Sequence, residues 1–207
     1  MLSLFFVLPL LSLAAAFHPL SPYNFTSTRL FLSPGRQRHA ATGAVSNTGA
    51  AYIFIAGGVL STGAATAALA VLDVSKRQFL TPELQMSTTR DGAAIGSAHD
   101  VVAVAGGKGP TGLLTSVEVF NVTSMAPVRQ FVIAARSDMV AVSMRHWIVF
   151  LGGRSAFPYV ASADVDVLDV RSMTMSTFKL AESRAFPAAA ALGDKIYVAG
   201  GDRNAAT

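Results

Sequence analysis

Residues 102–112 read VAVAGGKGPTG, a valine and alanine run that stops at Gly106-Gly107. Two readings of the glycines compete. Gly107-Lys108-Gly109-Pro110-Thr111-Gly112 spells G-x-G-x-x-G, the turn that cradles a pyrophosphate when a strand precedes it and a helix follows. What comes next leaves no room for the helix. Only Leu113 to Ser116 separate Gly112 from the alternating run Val117-Glu118-Val119-Phe120, whereas a parallel crossover takes about a dozen residues. About 20 residues past Gly107, where a ribose-binding acid belongs, the chain reads Ala126-Pro127-Val128. No nucleotide cofactor is expected.

The second reading is periodic. AYIFIAGG, DVVAVAGG, HWIVFLGG and DKIYVAGG end in Gly57-Gly58, Gly106-Gly107, Gly152-Gly153 and Gly200-Gly201, with first glycines 49, 46 and 48 residues apart. Each doublet closes a β-rich run, where glycine permits a tight exit that a Cβ would obstruct. Other positions keep step. Arg90, Arg136 and Arg184 each precede their first glycine by 16 residues, and Arg38 precedes Gly57 by 19. Small-residue runs follow the arginines, then polar turns at Ala98-His99-Asp100, Arg145-His146 and Gly193-Asp194. A further strand ends in Asp73, Asn121 or Asp169, 15 to 17 residues past the first glycine, and Phe79, Phe131 and Phe178 come next. Each period offers four short strands and no helix, so the fold class is all-β.

This pattern resembles the kelch repeat, of about 50 residues and four strands per β-propeller blade. The resemblance covers residues 38 to 204, with phenylalanine in place of the fourth-strand tryptophan and the only tryptophan, Trp147, in a second strand. It implies about three and a half blades, at roughly 38–79, 90–131, 136–178 and a partial 184–207, an incomplete or open propeller. Open flanks of that kind expose apolar faces, so self-association or a longer parent protein is expected.

The front of the chain reads as an address. Leu2 to Leu13 is apolar and Ala14-Ala15-Ala16 forms an A-x-A cleavage pattern, so residues 1–16 are expected to be a signal peptide, leaving no stable membrane span. Residues 17–37, rich in Ser, Thr and Arg and free of acids, read as a linker or transit-like segment. Secretory or extracellular location is expected. The alternative is a plastid reached by signal plus transit peptide, because AAAFHP resembles the junction found in algae with secondary plastids. Asn24-Phe25-Thr26 and Asn121-Val122-Thr123 are glycan acceptor sequons.

Composition excludes several chemistries. With no cysteine among 207 residues there are no disulfides, thiolate metal sites or cysteine nucleophiles, nor the cross-linked copper site of galactose-oxidase-like propellers. The net charge of +4 comes largely from Arg29, Arg36 and Arg38, since residues 1–72 hold no acid, so no clustered basic face for nucleic acid is expected. His39, His99 and His146 lack metal-ligand spacing, and no metal site is expected. Asp164 and Asp166 share one strand face and Asp169 the other, on a strand expected to be outer and wetted.

Arg90, Arg136 and Arg184 carry two readings. A structural guanidinium would bond carbonyls of the adjacent blade. A functional one would ring the channel mouth and hold acidic groups of a peptide, beside Asp138 and Phe186, each two residues after its arginine. The expected function is a non-enzymatic binding module for a protein or peptide. The alternatives are a carbohydrate-active enzyme on the same scaffold, or a truncated product without autonomous function.

Overall fold

In the computed structural model, residues 30–156 and 160–203 are described; residues 1–16, Asn24 and most of the segment to 37 lie outside them. Strands and turns account for the described residues, with no helix among them. The first sheet holds β1 (Ala40–Val45), β2 (Ala51–Ala56), β3 (Ala68–Asp73) and β4 (Gln78–Phe79). The second holds β5 (Ala94–Ala98), β6 (Val101–Ala105), β7 (Ser116–Asn121) and β8 (Ala126–Val132). The third holds β9 (Val140–Met144), β10 (Trp147–Leu151), β11 (Asp164–Asp169) and β12 (Thr174–Lys179). A hairpin of β13 (Ala188–Leu192) and β14 (Lys195–Ala199) follows. Each four-stranded sheet is antiparallel in chain order. All of them lie within one compact unit, Leu32–Thr207.

Strand composition follows from how many faces are covered. β6, VVAVA, is buried at every position, because neighbouring sheets cover both its faces and an unbroken apolar run results. Side chains alternate across it. Val102 and Val104, with Phe120 of β7, join Phe54, Leu69 and Val71 of the first sheet in one core cluster. Ala103 and Ala105, with Val117 and Val119, join Ile148, Phe150 and Leu168 of the third sheet in another. Each fully buried aliphatic or aromatic side chain contributes about 1.5–3 kcal/mol.

The first strands (AATGAV, AIGSA, VAVSM and AAAAL) are built from small residues because successive first strands lie against one another. At Gly96 in β5 a Cβ would stand 2.6 Å from Ile148 Cγ2 of the next sheet.

Three of the glycine doublets, Gly57-Gly58, Gly106-Gly107 and Gly152-Gly153, are joints between sheets. Gly106 has φ +56°, and a Cβ there would lie 2.3 Å from the carbonyl oxygen of Arg136, where the next sheet begins. Gly107 N–H donates to that same carbonyl at 2.8 Å, and Gly106 N–H to Ser116 O at 3.0 Å. Gly58 and Gly153 repeat the first bond on Arg90 and Arg184, at 2.9 and 2.8 Å. Only a residue without a side chain permits both the left-handed backbone and the close approach.

Three expectations are corrected. The first sheet is entered at Arg36 rather than Arg38: Arg36 Nη1 donates to Ala68 O at 3.2 Å, as Arg136 Nη1 donates to Asp164 O at 2.9 Å. Arg38 instead shares the left-handed backbone of the residues two past each later arginine, Gly92, Asp138 and Phe186. The longer hairpin loop Ser46–Ala50 displaced the spacing by which the arginines were aligned. The outer edge of the first sheet is split, since Leu84–Gln85 also pairs with β3; Pro82 lies between the two pieces and has no N–H for a ladder. Lastly, β11 is not a wetted strand at Asp166, which is 1% exposed. Its charge is matched by Arg136.

Candidate functional site

The repeated arginines point into the protein. Arg90 and Arg136 are 0% exposed. Arg136 donates through Nη1 to Gly152 O (3.1 Å) and Asp164 O (2.9 Å), through Nε to Ala134 O (3.4 Å), and through Nη2 to Asp166. Thr177 Oγ1 donates to the other Asp166 oxygen at 2.6 Å. Arg90 donates to Gly106 O (3.1 Å), Ser116 O (3.4 Å) and Ser116 Oγ (3.0 Å), and pairs with Glu118, which also accepts Ser87 N–H (2.8 Å) and Oγ (2.9 Å). The carbonyls belong to each arginine's own sheet and not to the adjacent one. Burial pushes both guanidinium pKa values down, and the partner carboxylates pull them back up. Partner-facing roles for Arg90 and Arg136 are thereby replaced: their donors are spent inside the sheet.

Arg36 makes the same carbonyl contact but takes Glu83 at 3.0 Å, because the first sheet carries Ala70 where Glu118 and Asp166 stand. Arg184 reaches Gly200 O at 2.6 Å and the half-exposed Glu182 at 3.0 Å.

A second set of charges does reach the surface, at the doublet end of the strands. Arg38 binds Asp91 Oδ1 through Nε (2.9 Å) and Nη2 (2.8 Å), and its Nη2 lies 3.4 Å from Asp138 Oδ1. The other Asp138 oxygen accepts Ser137 Oγ (2.7 Å), Arg154 Nε (2.7 Å) and Arg154 Nη2. The Arg154 guanidinium lies over the Phe186 ring, 4.8 Å from its centre. Backbone bonds tie the row together: Gly92 N–H donates to Arg38 O at 3.1 Å and Asp138 N–H to Gly92 O at 2.8 Å. Arg154 and Lys108, each directly after a doublet, bridge to Ser137 and Asp91. Arg38 is 45% exposed at its side chain and Lys108 is exposed, whereas Asp138 is 9% exposed. Arg38 and Lys108 thus face outward, whereas Arg154 and Asp91 are each 16% exposed at their side chains. Both carboxylates are held by guanidinium groups.

Sequence spacing singles out Asp138 and Phe186 from this row and gives Arg38, Asp91 and Arg154 no role in it. The signal for them was positional: one or two residues after the arginine that opens each sheet, and one after each doublet.

The strand-end acids are turn caps. Asp73 Oδ1 accepts Ser75 Oγ (2.6 Å) and Lys76 N–H (2.9 Å), which holds its pKa down at about 2. Asn121 and Asp169 cap the following turns through Ser124 N–H and through Arg171 and Ser172 N–H. At that end Asp100, 7% exposed, gathers Asn47 N–H and Nδ2, Asn121 Nδ2 and Thr123 Oγ1. In the sequon Asn121-Val122-Thr123 the atom a glycan would modify is therefore bonded to Asp100 at 2.7 Å, and Val122 is fully buried.

His39 Nδ1 contacts Arg36 O (3.0 Å), His99 is exposed in a left-handed turn, and His146 lies 3.6 Å from Asp169. Among the described residues no three His, Cys, Asp or Glu side chains are grouped so as to hold a metal ion. Nor is any helix among them long and apolar enough to cross a membrane. No protein-family model matches the chain, and no curated protein matches it.

Proposed function

We propose that the successive sheets are blades of a kelch-type propeller, and that the chain is a non-enzymatic module docking an acidic protein segment or peptide in the secretory system. Shared strand order, small first strands lying against each other and doublet joints between sheets support the propeller. The observation that carries the binding reading is the row Arg38–Asp91–Asp138–Arg154–Phe186, which runs across all four units at one end of their first strands. Its acids fix the guanidinium groups from below, so the outward donors of Arg38, with Lys108 beside them, meet a ligand carboxylate without first being ordered. Phe186, 45% exposed, offers an apolar stop at the end of the row.

Fluorescence anisotropy with labelled acidic, neutral and basic peptides of equal length tests this. The acidic peptide should bind the full chain best, and Arg38→Glu or Lys108→Glu should weaken it about tenfold. Equal binding of all three peptides, or a preference for the basic one, would overturn the assignment. Secretory passage is tested separately: intact mass of the product from a eukaryotic host should show an N-terminus at Phe17, and a membrane-bound chain retaining Met1 would refute it.

A further inference from the structure

Asn121-Val122-Thr123 has the pattern of an N-glycan acceptor, and all three residues are built into the contact between the first and second sheets. We infer that a sugar on Asn121 and the docking of these two sheets exclude each other. The folded protein then carries Asn121 bare, and a chain modified there cannot close the contact. This uses none of the rim's residues and holds whichever compartment the chain occupies.

N-glycosylation replaces a hydrogen on Nδ2 with a bulky sugar. Asn121 Nδ2 finds both its acceptors on Asp100, the carboxylate Oδ2 at 2.7 Å and the backbone carbonyl at 3.3 Å. The amide is fixed from its other side as well, since Asn121 Oδ1 accepts Ser124 N–H at 2.7 Å. Asn121 is half-buried, but the edge that would carry the sugar faces a residue only 7% exposed. A sugar on this nitrogen stands where Asp100 does.

Asp100 in turn holds the two sheets together. Its Oδ2 also accepts Asn47 Nδ2 at 3.0 Å, and its Oδ1 accepts Asn47 N–H at 3.2 Å and Thr123 Oγ1 at 2.7 Å. Asn47 belongs to the hairpin loop of the first sheet, and Asp100 to the turn between β5 and β6 of the second. A sugar on the Oδ2 side displaces Asn47 Nδ2 from the same oxygen. One on the carbonyl side displaces Val122 N–H, which donates to Asp100 O at 2.9 Å. Either way a buried acceptor is left short of donors.

The rest of the sequon is engaged too. Thr123 Oγ1, besides donating to Asp100, accepts Asn47 N–H at 3.0 Å, and Val122 lies in the core cluster with Phe54 and Leu69 of the first sheet. A transferase that grasps Asn121 and Thr123 together has to lift Val122 out of that core, a local opening that a folded sheet makes rarely. The third sheet differs: His146 stands in the place of Asp100 and Asp169 in that of Asn121. In a chain that enters the secretory system, transfer to Asn121 therefore precedes docking or does not occur.

The test uses the full chain with Asn24→Gln, which leaves Asn121 as its one sequon, and a soluble sequon-specific N-glucosyltransferase with UDP-glucose. A synthetic peptide of residues 116–127 supplies the unfolded rate. Mass mapping should show transfer to the folded chain about a hundredfold slower than to the peptide. Asp100→Ala should raise transfer to the folded chain about tenfold, and Asn47→Ala by a smaller factor. Chain glucosylated during synthesis, by co-expression with the enzyme, should unfold at lower urea than the bare chain, with its Asn47 amide exchanging as fast as in Asp100→Ala. Transfer to the folded chain at the peptide's rate would overturn the inference. So would a glucosylated chain with the bare chain's urea midpoint and a protected Asn47 amide.

Discussion

Replacing Asp166 with alanine isolates what the buried arginines do. Asp166 is 1% exposed and Arg136 0%, and each guanidinium nitrogen of Arg136 has a partner, whereas Arg90 Nε has none. The Arg136 pair is therefore the cleaner of the two. Asp166→Ala leaves the guanidinium cation in the core hydrogen-bonded only to carbonyls, with Asp164 the one carboxylate still acting on it, which costs about 3–5 kcal/mol. Against a total stability on the order of 5–15 kcal/mol, that is about a fifth or more of the whole. It corresponds to a melting shift on the order of 10 °C for a chain of this size. The double variant Arg136→Met/Asp166→Leu removes both charges together and strands mainly Gly152 O, whose only side-chain donor is Arg136 Nη1. Its cost should be about 1–2 kcal/mol, below that of Asp166→Ala alone. Urea unfolding followed by Trp147, the sole tryptophan and a neighbour in the same sheet, reads all four corners of the cycle. A loss of under about 1 kcal/mol for Asp166→Ala, or a double variant at the sum of the singles, would refute the reasoning.

Gly106→Val should cost about 1–3 kcal/mol in the same assay, from its φ of +56° and a Cβ 2.3 Å from Arg136 O. Gly49→Ala, where a Cβ meets nothing within 4 Å, should cost less, and equal losses would count against the joint. Asp73, held at about pH 2 by the Ser75 hydroxyl and then Lys76 N–H, has a folded pKa below its unfolded value. Its contribution is complete above about pH 4 and is lost as pH falls through about 2. Asp73→Asn should therefore flatten stability against pH between those limits, and parallel denaturation profiles for the two proteins would contradict this. Asp100→Ala should cost about 2 kcal/mol and expose the Asn47 amide to hydrogen exchange, since that N–H points at Asp100 and Thr123; unchanged protection would show the network to be idle.

The local part of this architecture is legible in the order of residues alone. Doublets at regular spacing marked where strands end, because a left-handed backbone beside a close carbonyl admits little but glycine. Asp73, Asn121 and Asp169 marked turns, because their side chains bond backbone a few residues on. All-β character follows from such short-range rules, whereas the split outer edge of the first sheet does not. What each arginine meets is set by long-range packing. Arg36, Arg90, Arg136 and Arg184 look alike along the chain, yet their acids are Glu83, Glu118, Asp166 and Glu182, and three of those four lie 28 to 47 residues away. Arg38 looked like the first of the series and instead joins Asp91 and Asp138, the latter 100 residues distant. A guanidinium is directed by whichever carboxylate packing brings within reach, and burial decides whether that pair is a strut or a surface. Neither distance nor burial is written in local spacing.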